Sequence, residues 1–152
     1  MNDKILIIGG AGFIGMNLAK FLIQNRECEV TLADYSFARD GSEYFSVQQL
    51  SKINFIKDDF SSSLTFDVLD KDFDFVYMLA SVVGVNNTLE HPDEVIRVNT
   101  SLIFNCLEWL KTTTVKRVLF TSTSETYSGT TEVLDYPIPT DELVPLCIQD
   151  VS

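Results

Sequence analysis

Positive charge is what this chain most lacks. Eleven Lys and Arg stand against twenty-two Asp and Glu, a formal net charge of −11. Such a surface does not neutralise a run of phosphates, which argues against nucleic acid as a partner and equally against an anionic membrane face. No apolar run approaches the roughly 20 residues that span a bilayer, and Asp3 and Lys4 do not suit a secretory leader. Cysteine is sparse too. Cys28, Cys106 and Cys147 are far apart and form no C-x-x-C pair, so they read as reduced packing residues of a cytoplasmic protein, with no metal site expected. The single histidine, His91, precedes Pro92 and reads as a helix-capping residue rather than a ligand. What remains, 45% hydrophobic and 22% charged over 152 residues, is the balance of one globular domain with a core of its own.

Glycine is scarce as well, yet Gly9, Gly10, Gly12 and Gly15 fall together, directly after the apolar run Ile5 to Ile8. That run has no polar alternation, as expected of a parallel strand buried on both faces. The glycines fit two registers, G-x-G-x-x-G from Gly10 and G-x-x-G-x-x-G from Gly9. In a dinucleotide-binding turn they supply a tight bend, a close backbone approach and a close helix–strand contact. The helix that follows, about Phe13 to Gln24, points unpaired N–H groups and a partial positive charge at the place a pyrophosphate would occupy. Phe13, Ile14, Leu18, Phe21 and Leu22 read as its apolar face. A second strand ends in Asp34, nineteen residues past Gly15, where the fingerprint expects an acid for the ribose hydroxyls.

Strands and helices alternate along the rest of the chain. Strands are expected at 4–8, 29–34, 53–57, 73–80 and 117–121, with short helices near 43–50 and 64–69. Serines 61 to 63 offer caps for the second of these. A long helix starts at Pro92, with Asp93 and Glu94 in its first turn. The pattern predicts an α/β, doubly wound parallel sheet ordered 3-2-1-4-5 with its ligand at the switch point. In the long helix Val95, Asn99, Leu102, Cys106 and Leu110 share a stripe. Asn99, an amide among hydrophobes, must find partners, either backbone groups of the sheet and the loop after strand four or the cofactor itself.

The glycines, Asp34, Asp59, the strand-four ending Leu79-Ala80-Ser81, Asn99 and the block TSTSETYSG together make the chain resemble the extended short-chain dehydrogenase/reductases. More narrowly, it resembles the NAD-dependent epimerase/dehydratase group acting on nucleotide sugars. The resemblance implies a Rossmann-type fold with NAD as cofactor, held by Gly9, Gly12, Phe13, Ile14, Gly15, Asp34, Asp59, Phe60, Leu79, Ala80, Ser81 and Asn99. Asp34 would take the adenosine ribose, and Asp59 with Phe60 the adenine. It also implies a nucleotide-sugar substrate and a homodimeric parent. Thr123, Ser124 and Glu125 are then the catalytic candidates. Hydroxyls at the carboxyl end of strand five suit a sugar O4 becoming a ketone, and the carboxylate suits proton transfer at a neighbouring carbon. Thr-Ser-Glu resembles decarboxylases and dehydratases more than simple epimerases. Met78 departs from the histidine frequent in relatives, and Ser128 from their glycine.

The family's base, a Tyr-x-x-x-Lys pair, is missing from these residues: Tyr127 is followed at the fourth place by Thr131, and Tyr136 by Thr140. The resemblance puts that pair, a sixth strand and a substrate domain beyond Ser152. Residues 1–122 are thus expected to form the NAD-binding domain, truncated before the sixth strand, and 123–152 an active-site loop region. That second region holds Glu125, Glu132, Asp135, Asp141, Glu142 and Asp150 and no Lys or Arg, but it is too apolar for a disordered tail. Two alternatives stand beside this reading: an NADP-dependent ketone reductase of the same fold, which Asp34 opposes, and a non-catalytic NAD-binding module.

Overall fold

The computed structural model describes residues 2–37, 43–137 and 139–147. The chain divides into two compact units, Met1–Phe120 and Thr121–Ser152. The first is built from β1 (Asp3–Ile8), α1 (Phe13–Asn25), β2 (Cys28–Asp34), α2 (Val47–Leu50), β3 (Ile53–Lys57), a 3-10 turn (Ser63–Val68), β4 (Phe75–Met78), α3 (Val85–Glu90), α4 (Pro92–Leu110) and β5 (Arg117–Phe120). The strands form one sheet ordered β3-β2-β1-β4-β5, and every pairing is parallel. This is the doubly wound order expected from the alternation of elements. None of the described helices is long and apolar enough to cross a membrane.

The unbroken apolar run of β1 has a direct cause. Ile5 and Ile7 pack with Met16, Ala19, Leu22 and Ile23 of α1, while Leu6 and Ile8 pack on the other face with Leu102, Cys106 and Trp109 of α4. All four β1 residues are fully buried, so neither parity of the strand tolerates a polar side chain. The buried stripe of α1 is Gly15, Met16, Ala19, Leu22 and Ile23. This corrects the expected face, since Phe13, Ile14 and Phe21 are exposed. The small residues Gly15 and Ala19 mark the side that approaches the sheet.

Other boundaries moved for local reasons. β4 is shorter than 73–80 because it pairs with β1 from Ile5↔Phe75 to Ile8↔Met78, and β1 stops there at the glycines. β5 likewise ends at Phe120. α2 starts only at Val47, where Ser46 and Gln49 form a reciprocal capping box. The turn after β3 is organised by Asp59 instead of a serine hydroxyl: its Oδ1 accepts from Ser61 N at 2.9 Å and its carbonyl from Thr65 Oγ1 at 2.8 Å. His91 stands between α3 and α4, but its side chain makes no capping bond.

The amino ends of three strands meet at Asp74. Its Oδ2 accepts from Lys4 N at 2.8 Å, its Oδ1 meets Lys116 Nζ at 2.7 Å, and its backbone bonds Lys4 O and Lys116 N. The Lys116 ammonium and the Lys4 N–H hold its carboxyl below the usual carboxylate range. Burial pushes the Cys106 thiol up to about 11 and raises Cys28, so both are inert packing groups.

The second unit contains a 3-10 turn (Ser124–Tyr127) and α5 (Ser128–Leu134), neither of which was expected. α5 ends at Asp135 in the left-handed region, φ 51°. Thr130 donates to Pro145 O at 2.6 Å and accepts from Cys147 N at 2.9 Å, which ties the segment around 145–147 to the helix. The described bonds in this region are polar, and its large apolar side chains stay exposed, Leu143 at 92% and Leu146 at 61%.

Candidate dinucleotide-binding site

A cavity of about 560 Å³ opens at the carboxyl ends of β1, β2, β3 and β4, within the usual range for a ligand site. Gly9 and Gly12 line one wall, Asp34 and Tyr35 the end of β2, Asp59 to Ser61 the end of β3, and Leu79 to Val82 the end of β4. α4 closes the remaining side with Glu94, Arg97, Val98 and Leu102. The sequence candidates Gly9, Gly12, Asp34, Asp59, Phe60, Leu79, Ala80 and Ser81 therefore meet in one cavity. Phe13, Ile14, Gly15 and Asn99 are not among its lining residues.

Each glycine has its own reason to be one. Gly9 has φ +87°, and a Cβ on it would stand 2.5 Å from Ala80 N. A Cβ on Gly10 would stand 2.9 Å from Leu32, and one on Gly15 would stand 2.6 Å from Gly9 O. These three are required by the fold itself. Gly12 is different: its φ is −70°, and its Cβ would meet only Gly9 O, at 3.4 Å. Nothing among the described residues needs a glycine there. The space a Cβ would fill lies on the cavity wall at the start of α1, the place where a phosphate must come close to the backbone. α1 has no side-chain cap, so the first-turn amides, Phe13 and Ile14 among them, are presented by backbone rather than side chain. These residues fit a pyrophosphate.

Asp34 closes β2 beside the glycine turn. Its Oδ2 accepts from Ala11 N at 2.9 Å and its Oδ1 from Ser36 N at 3.2 Å, so the carboxylate braces the glycine turn from the end of β2. Each oxygen keeps a second lone-pair direction for a ribose hydroxyl. Arg39, the nearby base that would soften Asp34 towards a 2′-phosphate, lies outside the described residues. Asn99 bonds the loop after β4, accepting from Val82 N at 2.7 Å and donating to Val82 O at 3.0 Å. The structure thus gives it a bracing position beside the cavity. Asn105, six residues further on, donates to Ser61 O at 2.8 Å and pins the loop after β3. Sequence reasoning missed Asn105: six residues from Asn99, it falls about 120° away around the helix, off the stripe that drew attention to Asn99.

The block at the end of β5 belongs to the second unit. Thr123 and Ser124 are exposed, and Thr123 O accepts from Thr126 Oγ1 at 2.9 Å in the 3-10 turn. Glu125 lies in the same turn; its side chain is outside the described part.

A parallel sheet with a glycine turn at its first crossover, an acid closing its second strand and a cavity at its switch point defines a dinucleotide-binding protein of the Rossmann type. Comparison with known proteins narrows this. The model of the NAD dependent epimerase/dehydratase family matches residues 5–146, and the chain belongs to that family, whose cofactor is NAD. It is 35% identical over 127 residues to UDP-N-acetyl-alpha-D-glucosaminuronate decarboxylase of Bacillus cytotoxicus, covering 84% of this chain and 38% of that protein. Its fold superposes with a TM-score of 0.75 on the UDP-Glc/GlcNAc 4-epimerase of Campylobacter jejuni, 26% identical, covering 96% of this chain and 43% of that one. An epimerase of Methanothermobacter thermautotrophicus gives a TM-score of 0.75 at 25% identity, covering 93% and 40%. The chain thus spans about two fifths of the length of these relatives.

Proposed function

We propose that this chain is the cofactor-binding part of an NAD-dependent nucleotide-sugar enzyme, one that oxidises its sugar at C4 with bound NAD and carries the chemistry on to the neighbouring carbon. The observation that carries the reading is Gly12, a glycine that the fold does not require, set on the cavity wall between the α1 amides and Asp34. Relatives with this architecture include both a decarboxylase and 4-epimerases of nucleotide sugars, which fits one oxidation followed by different second steps.

NAD supplies, when bound, the hydride acceptor that a sugar C4 requires on becoming a ketone. The residues of this chain do the rest of what is proposed here. The α1 amides and the Gly12 cradle hold the pyrophosphate, Asp34 the adenosine ribose, and Asp59 with Phe60 the adenine. Leu79, Ala80 and Ser81 back the nicotinamide half, with Asn99 bracing the loop that follows. Thr123 and Ser124 donate to O4 as its C–O bond becomes a carbonyl, and the proton leaving O4 goes to a base outside residues 1–152. The Glu125 carboxylate takes or delivers the proton at the carbon next to C4. Loss of that step is the test. In the complete protein Glu125→Gln should still form a 4-keto sugar, which accumulates and shows in the mass spectrum of the bound ligand. Unchanged turnover would return Glu125 to a structural role and leave 4-epimerisation as the activity.

A further inference from the structure

One cation lines the cavity, and neither the glycine turn nor the acids account for it. Among the described lining residues Asp34, Asp59 and Glu94 are acidic, and Arg97 alone is basic. Among the described residues it pairs with Glu94, with Nη2 3.9 Å from Oε1, beyond hydrogen-bond reach. Both side chains are about two-thirds exposed, 66% and 60%, and an exposed i,i+3 pair holds its partners only weakly. The guanidinium can therefore leave Glu94 at little cost. On the same helix Leu102 is 7% exposed and Val98 half-buried, so α4 presents an apolar wall at depth and a planar cation at the rim.

We propose that Arg97 closes over the adenine of the bound dinucleotide, its guanidinium plane stacked on the base, with Glu94 as its resting partner. The inference rests on the reading of this cavity as an NAD site. The pyrophosphate would have its own donors at α1 and Gly12, and α1 packs on the opposite face of the sheet from α4. The base end belongs beside Asp59 and Phe60, and α4 is tied to that loop through Asn105 and Ser61 O. A flat heteroaromatic laid on Val98 and Leu102 leaves its second face at the rim, where Arg97 stands. Guanidinium is weakly hydrated and planar, and it stacks on such faces, while ammonium has no face to offer.

The test uses the intact protein and reads binding. NAD is titrated by calorimetry, and adenosine and nicotinamide mononucleotide, one lacking phosphate and the other lacking adenine, are followed by NMR. Arg97→Ala should weaken NAD and adenosine by the same factor, about tenfold, and leave nicotinamide mononucleotide unchanged. Arg97→Lys should remain as weak as the alanine variant, because it restores charge without a plane. Restoration of NAD affinity by lysine, with adenosine indifferent to both changes, would make Arg97 a phosphate contact and overturn the stacking proposal. No change with either variant would make it a bystander. Failure of the unsubstituted protein to bind NAD would sink the cofactor reading itself, and this proposal with it.

Discussion

At the scale of single residues, the glycine turn separates what the fold needs from what a ligand needs. Four glycines look alike in sequence, and only the neighbours of a virtual Cβ tell them apart. Gly9→Ala puts a methyl group against the backbone of Ala80 at a positive φ, so it should destabilise the protein by roughly 1–3 kcal/mol and lower its melting temperature. Gly12→Ala meets only an ordinary contact and keeps an ordinary φ, so it should melt within a degree or two of the parent. On the proposed reading it should nonetheless lose NAD affinity by about tenfold or more, because the methyl group would stand where the pyrophosphate approaches. Paired melting curves and NAD titrations check both. A Gly12→Ala protein that binds NAD as well as the parent would remove the main argument for the phosphate cradle. The sequence made the turn legible through glycine spacing and the position of Asp34. It did not reveal that Asp34 also braces Ala11 N and Ser36 N, since a carboxylate's backbone partners depend on the folded path of a loop.

At the scale of elements, α4 sets the width of the cavity. It pins the loop after β4 through Asn99 and the loop after β3 through Asn105, with Leu102 packed between them. Asn99→Leu is nearly isosteric, yet it strips both bonds from the half-buried Val82 backbone. That should cost about 1–3 kcal/mol and loosen the segment 80–82 that lines the cavity, which thermal unfolding and hydrogen exchange at 81–83 would report. Exchange there as slow as in the parent would mean the loop is held by other contacts. β1, β2, β3, α1 and α4 were legible because apolar period, glycines and a proline start all agree. α3 was not, for Val85–Glu90 follows a Gly at φ +112° with no side-chain cap bond. α5 was hidden for a related reason: Ser, Gly and two Thr open it against their own helix propensity, and Thr130 holds it through Pro145 and Cys147 rather than through an apolar stripe.

At the scale of the whole molecule, the candidate site and the bracing lie at opposite ends of the sheet. The cavity occupies the carboxyl ends of the strands, and the Asp74 clamp ties the amino ends of β1, β4 and β5. The two should therefore respond separately to pH. The carboxyl of Asp74 is depressed by Lys116 and by the Lys4 N–H. A group whose folded value lies below its unfolded one contributes stability that is present above the unfolded value. That contribution is lost as pH falls through the folded one, because the unfolded chain takes up the proton first. Asp74→Asn should accordingly melt below the parent at pH 7, and the gap should close as pH drops below about 4, the ordinary range of an Asp side chain. Lys116 carries the opposite sign: its ammonium is raised by Asp74, so its own deprotonation breaks the pair only in alkali, and on the acid side the pair is broken by protonation of Asp74. NAD affinity at pH 7 should be the same in the Asn variant as in the parent, since the clamp touches none of the cavity residues. Melting curves from pH 7 down to about 3 would show the gap narrowing; a gap constant with pH would mean that Asp74 acts through shape rather than charge.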